Sequence, residues 1–139
     1  MSYYFSKKVK MTFDEAVVKI TEELKKEGLG VLTEINVKET LKNKLNVDFQ
    51  QYKILGACNP PFAYEALQTE DKIGLMLPCN VIVQEKSAGE IEISAIDPIT
   101  SMQAIKNPVL EQVAEKVQSK LKGTSNNSQS VTPAKAGVQ

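Results

Sequence analysis

Histidine is absent from this sequence. That gap removes the usual general base near neutral pH and the commonest transition-metal ligand, and it excludes serine and cysteine triads built on histidine. Cysteine is scarce too. The two residues, Cys58 and Cys79, are too few for a disulfide-stapled scaffold, and in a reducing compartment they are expected as free thiols. No charge of one sign prevails, because Lys+Arg and Asp+Glu both number 17. Without such a field nothing gathers phosphate-bearing polymers or anionic lipid, so nucleic acid and membrane are not expected partners. Long apolar runs are missing as well: Ile73 to Val83 is interrupted by Pro78 and Asn80 and falls short of the roughly 20 residues of a membrane span. The opening residues Met1 to Lys8 lack the basic segment and long apolar run of a secretion signal, so a cytoplasmic location is expected. Neither a Walker loop nor a GxGxxG segment is present to cradle a nucleotide, and no cofactor is implied.

What is there suits one small domain. The 139 residues are 42% apolar, enough to bury a single core without staples. Residues 1–122 read as that domain. The segment 123–139 is rich in Ser, Asn and Gln with almost no apolar residues, and it is expected to be a disordered polar tail.

Periodicity outlines the elements. Tyr3, Phe5 and Val9 alternate with Tyr4, Ser6 and Lys8, the pattern of a half-buried strand. Thr12-Phe13-Asp14-Glu15 has the form of a capping box, and Phe13, Ala16, Val17, Ile20 and Leu24 follow at helical spacing up to Gly28. Val31, Leu32 and Ile35 make a short strand, and Asn36 offers a cap for a lysine-rich outer helix running to about Leu45. Tyr52 to Ala57 reads as a third strand running into Cys58-Asn59-Pro60-Pro61, where Asn59 as cap and Pro60 in the first turn predict a short helix. Pro78 implies a bend or bulge before Cys79. Val81 and Val83 then resume a strand, which pairs as a hairpin with Glu90 to Ser94 before Asp97-Pro98. Val109, Leu110, Val113, Ala114, Val117 and Leu121 form the stripe of a closing helix. Few strands are joined by full helical crossovers. The fold class is therefore α+β, a mostly antiparallel sheet with two long helices on one face, in the order β-α-β-β-β-β-α with short helical insertions.

The chemistry-bearing candidates centre on a repeated Cys-Asn, Cys58-Asn59 and Cys79-Asn80. A sulfur just ahead of a helix start faces unpaired amides and the positive end of the helix dipole, which would lower the Cys58 pKa. The bland alternative makes Cys58 a small apolar filler, as free cysteines commonly are. Cys79 either turns toward Cys58 or packs beneath the sheet. Converging sulfurs would open three readings: a dithiol redox pair, a sulfur-carrying thiol, or half of a soft-metal site completed by a second subunit. Asn59 and Asn80 read as structural, a cap and a backbone-bonding side chain at a bend. Glu85 and Asp97 are the acids near the sheet ends to test as acid-base groups. The lysines of the outer helix and the Lys25-Lys26 pair read as solvated faces.

The stretches Leu55 to Leu67 and Ile73 to Val83, each carrying a Cys-Asn, resemble the two signature segments of the uncharacterised domain-of-unknown-function family number 302. With the opening strand and helix and Asp97-Pro98, the resemblance covers about residues 3–121. It implies a compact α+β fold similar to that of the TATA-binding protein, without DNA binding, and a tendency to form homodimers. It implies no activity, so Cys58 and Cys79 match the signature without inheriting a role. The expectation is a homodimeric binding or assembly module that uses the surface around Cys58, Asn59, Pro60, Cys79, Asn80, Glu85 and Asp97 for a small molecule or protein partner. A thiol-dependent redox or sulfur-handling protein is the alternative, and a soft-metal site at a dimer interface the second.

Overall fold

The capping box forms as its residues dictate. Thr12 Oγ1 accepts from the Glu15 amide and Glu15 Oε1 accepts from the Thr12 amide, each at 3.1 Å, and these bonds start α1 (Phe13–Lys26). At its other end Gly28, with φ of 79°, turns the chain toward the next strand. The structure, a computed structural model, describes residues 2–126.

Five strands make one sheet: β1 (Tyr4–Lys10), β2 (Gly30–Asn36), β3 (Tyr52–Cys58), β4 (Cys79–Ser87) and β5 (Glu90–Ile96). Their order is β1-β5-β4-β3-β2, with every neighbouring pair antiparallel. Between β2 and β3 lies α2 (Val37–Leu45), and α3 (Pro60–Thr69) with a 3₁₀ turn at Ile73–Met76 joins β3 to β4. After β5 come a one-turn helix, α4 (Pro98–Ser101), and the closing α5 (Pro108–Asn126). The α+β class and the antiparallel sheet expected from periodicity are what the chain adopts.

Alternation decides which face is covered. Val9, Leu55, Ala57, Val81, Val83, Ile91 and Ile93 pack with Phe13, Ala16, Ile20 and Leu24 of α1 and with Leu110, Val113, Ala114, Val117 and Leu121 of α5 in one core. Burying a side chain of this kind contributes roughly 1.5–3 kcal/mol, so these two helical stripes hold the layers together. On the other face a shallow cleft of about 390 Å³ is lined by Tyr4, Tyr52, Asn80, Ile82, Gln84 and Glu92 among others. The outer helix α2 has no buried residue at all.

One departure from the sequence reading concerns the closing helix. Helix α5 continues one turn beyond the boundary drawn at Gly123, to Asn126. Thr124 is buried there, and its carbonyl accepts from Lys7 Nζ at 3.2 Å, which gives a polar stretch a tertiary reason to stay helical. The remainder of the expected tail lies outside the described residues.

Candidate functional site

The four residues of the Cys-Asn repeats do not form one cluster. Ala57 of β3 stands opposite Cys79 of β4, so Cys58 follows at the strand end. Both cysteines line a small hole of about 30 Å³, walled by Leu29, Phe62, Met102 and Val117 among others. Cys79 is buried and Cys58 half-buried. The sulfurs thus share one apolar corner where β3, β4, α3 and α5 meet.

The helix start beside Cys58 offers that sulfur nothing. Pro60 and Pro61 carry no N–H. The next amide, of Phe62, donates to Asn59 Oδ1 at 3.0 Å, and that of Ala63 donates to the Asn59 carbonyl at 2.9 Å. Burial is left to act alone, and it pushes the Cys58 thiol up rather than down. This corrects the expected lowering, which assumed free amides where the chain has prolines and an asparagine cap. Cys79 is pushed up to about 11 by its own burial, with the neighbouring Cys58 adding to the effect.

Alkylation of the native protein should therefore be slow at pH 7.5 for Cys58 and steepen above the ordinary thiol range, because only the thiolate reacts. Cys79 should stay unmodified until the chain unfolds. Mass mapping of the alkylated residues against pH checks both, and rapid labelling of Cys58 near neutrality would contradict the desolvated environment.

Asn59 caps α3, as read from the sequence, and also clamps the turn after α1. Its Nδ2 donates to the Gly28 carbonyl at 3.1 Å, and a Cβ on Gly28 would sit 3.1 Å from that nitrogen. Asn80 points away from the sulfurs: it pairs with Gly56, is exposed, and borders the open-face cleft. Leu77-Pro78 is a cis peptide just ahead of Cys79, at the bend that Pro78 implied. Asp97 Oδ1 caps α4 by accepting from the Ile99 amide at 3.0 Å and accepts from Gln118 Nε2 of α5 at 3.1 Å. Glu85 closes the β4–β5 turn, its Oε2 accepting from the Gly89 amide at 3.3 Å. It lies six residues along β4 from Cys79, about 20 Å away at the rise of a strand. No group of three or more His, Cys, Asp or Glu able to hold a metal ion exists among the described residues.

The buried charge that sequence reading passed over is Lys7. It stands on β1 between Phe5 and Val9, on their side of the alternation, and is only 1% exposed. Burial pulls its amine down to about 8, against the partial compensation of Glu23 and with the added repulsion of Lys19. Glu23 is itself buried, with Oε1 lacking a hydrogen bond and Oε2 3.4 Å from Lys26 Nζ. Since the folded value lies below the unfolded one, the unfolded chain holds the extra proton between about pH 8 and 10.5. The penalty is full below that window and fades as pH rises through it. Relative to Lys7→Met, the parent should gain about 2 kcal/mol between pH 7.5 and 9.5. Both cysteines titrate equally in the two proteins, so paired urea curves isolate the lysine, and curves that stay parallel would contradict its desolvation.

The comparisons agree with the residues. A family model described as "Domain of unknown function DUF302" matches residues 5–127. The chain belongs to this family. Of solved structures, the crystal structure of an uncharacterized conserved DUF302 protein from Bacillus stearothermophilus matches with 28% identity and a TM-score of 0.81. The match covers 89% of this chain and 96% of that one. No curated protein matches. The DUF302 fold is therefore established for this chain, and its function is unknown. No helix among the described residues is long and apolar enough to cross a membrane.

Proposed function

We propose that this DUF302 chain is a non-catalytic assembly module that works as a homodimer joined along β2 and α2. The observation that carries the reading is the contrast between the two edges of the sheet. On β1 the edge strand bears the exposed Lys8 and Lys10, and edge lysines deter pairing with another chain. On β2 the edge reads Gly-Val-Leu-Thr-Glu-Ile-Asn, and its one charge, Glu34, is already bonded to Lys53 at 2.6 Å.

The surroundings of that edge are apolar and uncovered. Leu32 is 65% exposed, Ile35 49% and Leu45 65%, while Val47 and Phe49 lie open just beyond α2. A helix with no buried residue gains little from its own chain, since most helical stability comes from packing a face. A second copy supplies that packing, and antiparallel pairing of β2 with β2 satisfies the outward backbone groups on both. The strand suits a two-fold axis near Thr33: Glu34 then faces Leu32, Val31 faces Ile35, and no like charges oppose one another.

The thiol reading has less support, since both sulfurs lie where the thiolate is disfavoured. Sedimentation velocity over a wide concentration range tests the dimer. A species of twice 15.3 kDa is expected from the micromolar range upward, and a monomer at the highest concentration rejects the reading.

A further inference from the structure

The hole at the end of β3 and β4 is lined by three sulfur-bearing residues, because Met102 joins Cys58 and Cys79. Met102 follows α4 directly and is buried. The rest of the lining is hydrocarbon apart from Asn59. Both ends of that amide are engaged, Oδ1 by the Phe62 amide and Nδ2 by the Gly28 carbonyl. Sulfur is therefore the only donor the side chains leave to an occupant.

Size and chemistry narrow the occupant. About 30 Å³ is the room of one water or one ion, and a water needs roughly two to four polar partners that this lining does not provide. Hard cations require oxygen ligands. Structural zinc takes about four nitrogen, sulfur or carboxylate ligands, more than the hole presents. Thiolate and thioether sulfur select copper(I).

We propose that Cys58, Cys79 and Met102 form a three-sulfur copper(I) site within one chain. On binding, the two S–H bonds break, both protons leave to solvent, two sulfur–copper bonds form, and the thioether adds a neutral lone pair. Copper enters and remains monovalent, so no electron is exchanged. The loaded site carries one net negative charge. Lys116 and Lys120 stand over the Phe62 ring, 5.6 and 5.9 Å from its centroid, and Phe62 is part of the lining, so two cations lie one ring away. Half-buried Cys58 is the point of entry, with Cys79 and Met102 behind it. All three ligands come from one chain, so the site stands or falls apart from the dimer.

The test titrates reduced, untagged, full-length protein with copper(I), supplied under argon as its acetonitrile complex, against a chromophoric copper(I) chelator. One copper per chain should be withdrawn from the chelator, and X-ray absorption of the loaded protein should show sulfur neighbours alone. Cys58→Ser should lose the competition entirely. Met102→Leu, close in volume and expected to fold, should weaken binding at least about tenfold while keeping one copper per chain. If Cys58→Ser does not fold, alkylation of Cys58 in the parent protein serves instead: stoichiometric copper(I) should slow it at least about tenfold. The proposal is overturned by no withdrawal of copper, by one copper per two chains, by nitrogen or oxygen neighbours, by undiminished binding in Met102→Leu, or by an unchanged alkylation rate.

Discussion

Replacing Gly56 by alanine should cost the fold about 3 kcal/mol, a large effect for one methyl group. Gly56 is the crossing point of three strands, paired with Thr33 of β2 on one side and Asn80 of β4 on the other. A Cβ there would fall on Thr33 Oγ1 and lie 2.6 Å from Pro78 Cγ. One of these neighbours must shift to admit the methyl group. The Thr33 side chain is β-branched and stiff at χ1, and Pro78 is a rigid ring fixed at the entry to β4. Domains of this size have roughly 5–15 kcal/mol to lose, so Gly56→Ala removes a large share and Gly56→Val is expected not to accumulate as folded protein. Gly74, with nothing within 4 Å of its would-be Cβ, is the matched control, and Gly74→Ala should stay within about 0.5 kcal/mol of the parent. Urea midpoints of the two alanine variants decide the matter, and equal midpoints would contradict the crowding.

The same neighbourhood shows what a sequence displays and what it hides. Helix starts were legible because capping is local: Thr12, Asn36 and Asn59 each sit within three residues of the amide they satisfy. Strand faces were legible wherever apolar residues alternate, as at Glu90 to Ser94. Lys7 escaped because one charged residue on a buried face looks like a gap in the pattern, although its place between Phe5 and Val9 was the available signal. The Cys58 environment was misjudged for a chemical reason also present in the letters, since two consecutive prolines cannot donate hydrogen bonds to a sulfur. Met102 lies more than twenty residues from Cys79, in a stretch without periodicity, and only the packing of α4 and α5 brings it to the cysteines. Asn80 differs from Asn59 for a like reason: one dipeptide closes β3 and the other opens β4, so one asparagine caps a helix and the other borders the open-face cleft.

The second large effect concerns the uncovered edge. A double variant, Leu32→Asp with Ile35→Asp, should weaken self-association at least about a hundredfold, roughly 2.7 kcal/mol. Two carboxylates per copy would then stand on a strand facing its own image, and like charges brought opposite one another across a pair are destabilising. Leu32 and Ile35 are exposed in the single chain, so the fold loses little packing and helical circular dichroism should be unchanged. Lys8→Asp with Lys10→Asp on β1 makes the matched control, since a dimer joined at β2 does not involve that edge. Sedimentation equilibrium of both variants separates an effect of position from one of added charge, and loss of the dimer in the β1 control alone would assign the contact to the wrong edge.

The most direct measurement is amide hydrogen exchange resolved by segment and followed from dilute to concentrated protein. If β2 pairs with its own copy, amides within Gly30–Asn36 gain protection as concentration rises, while those of Tyr4–Lys10 exchange at the same rate throughout. Exchange in Gly30–Asn36 that is fast and independent of concentration, in protein shown to be folded by its core amides, would contradict assembly along this edge.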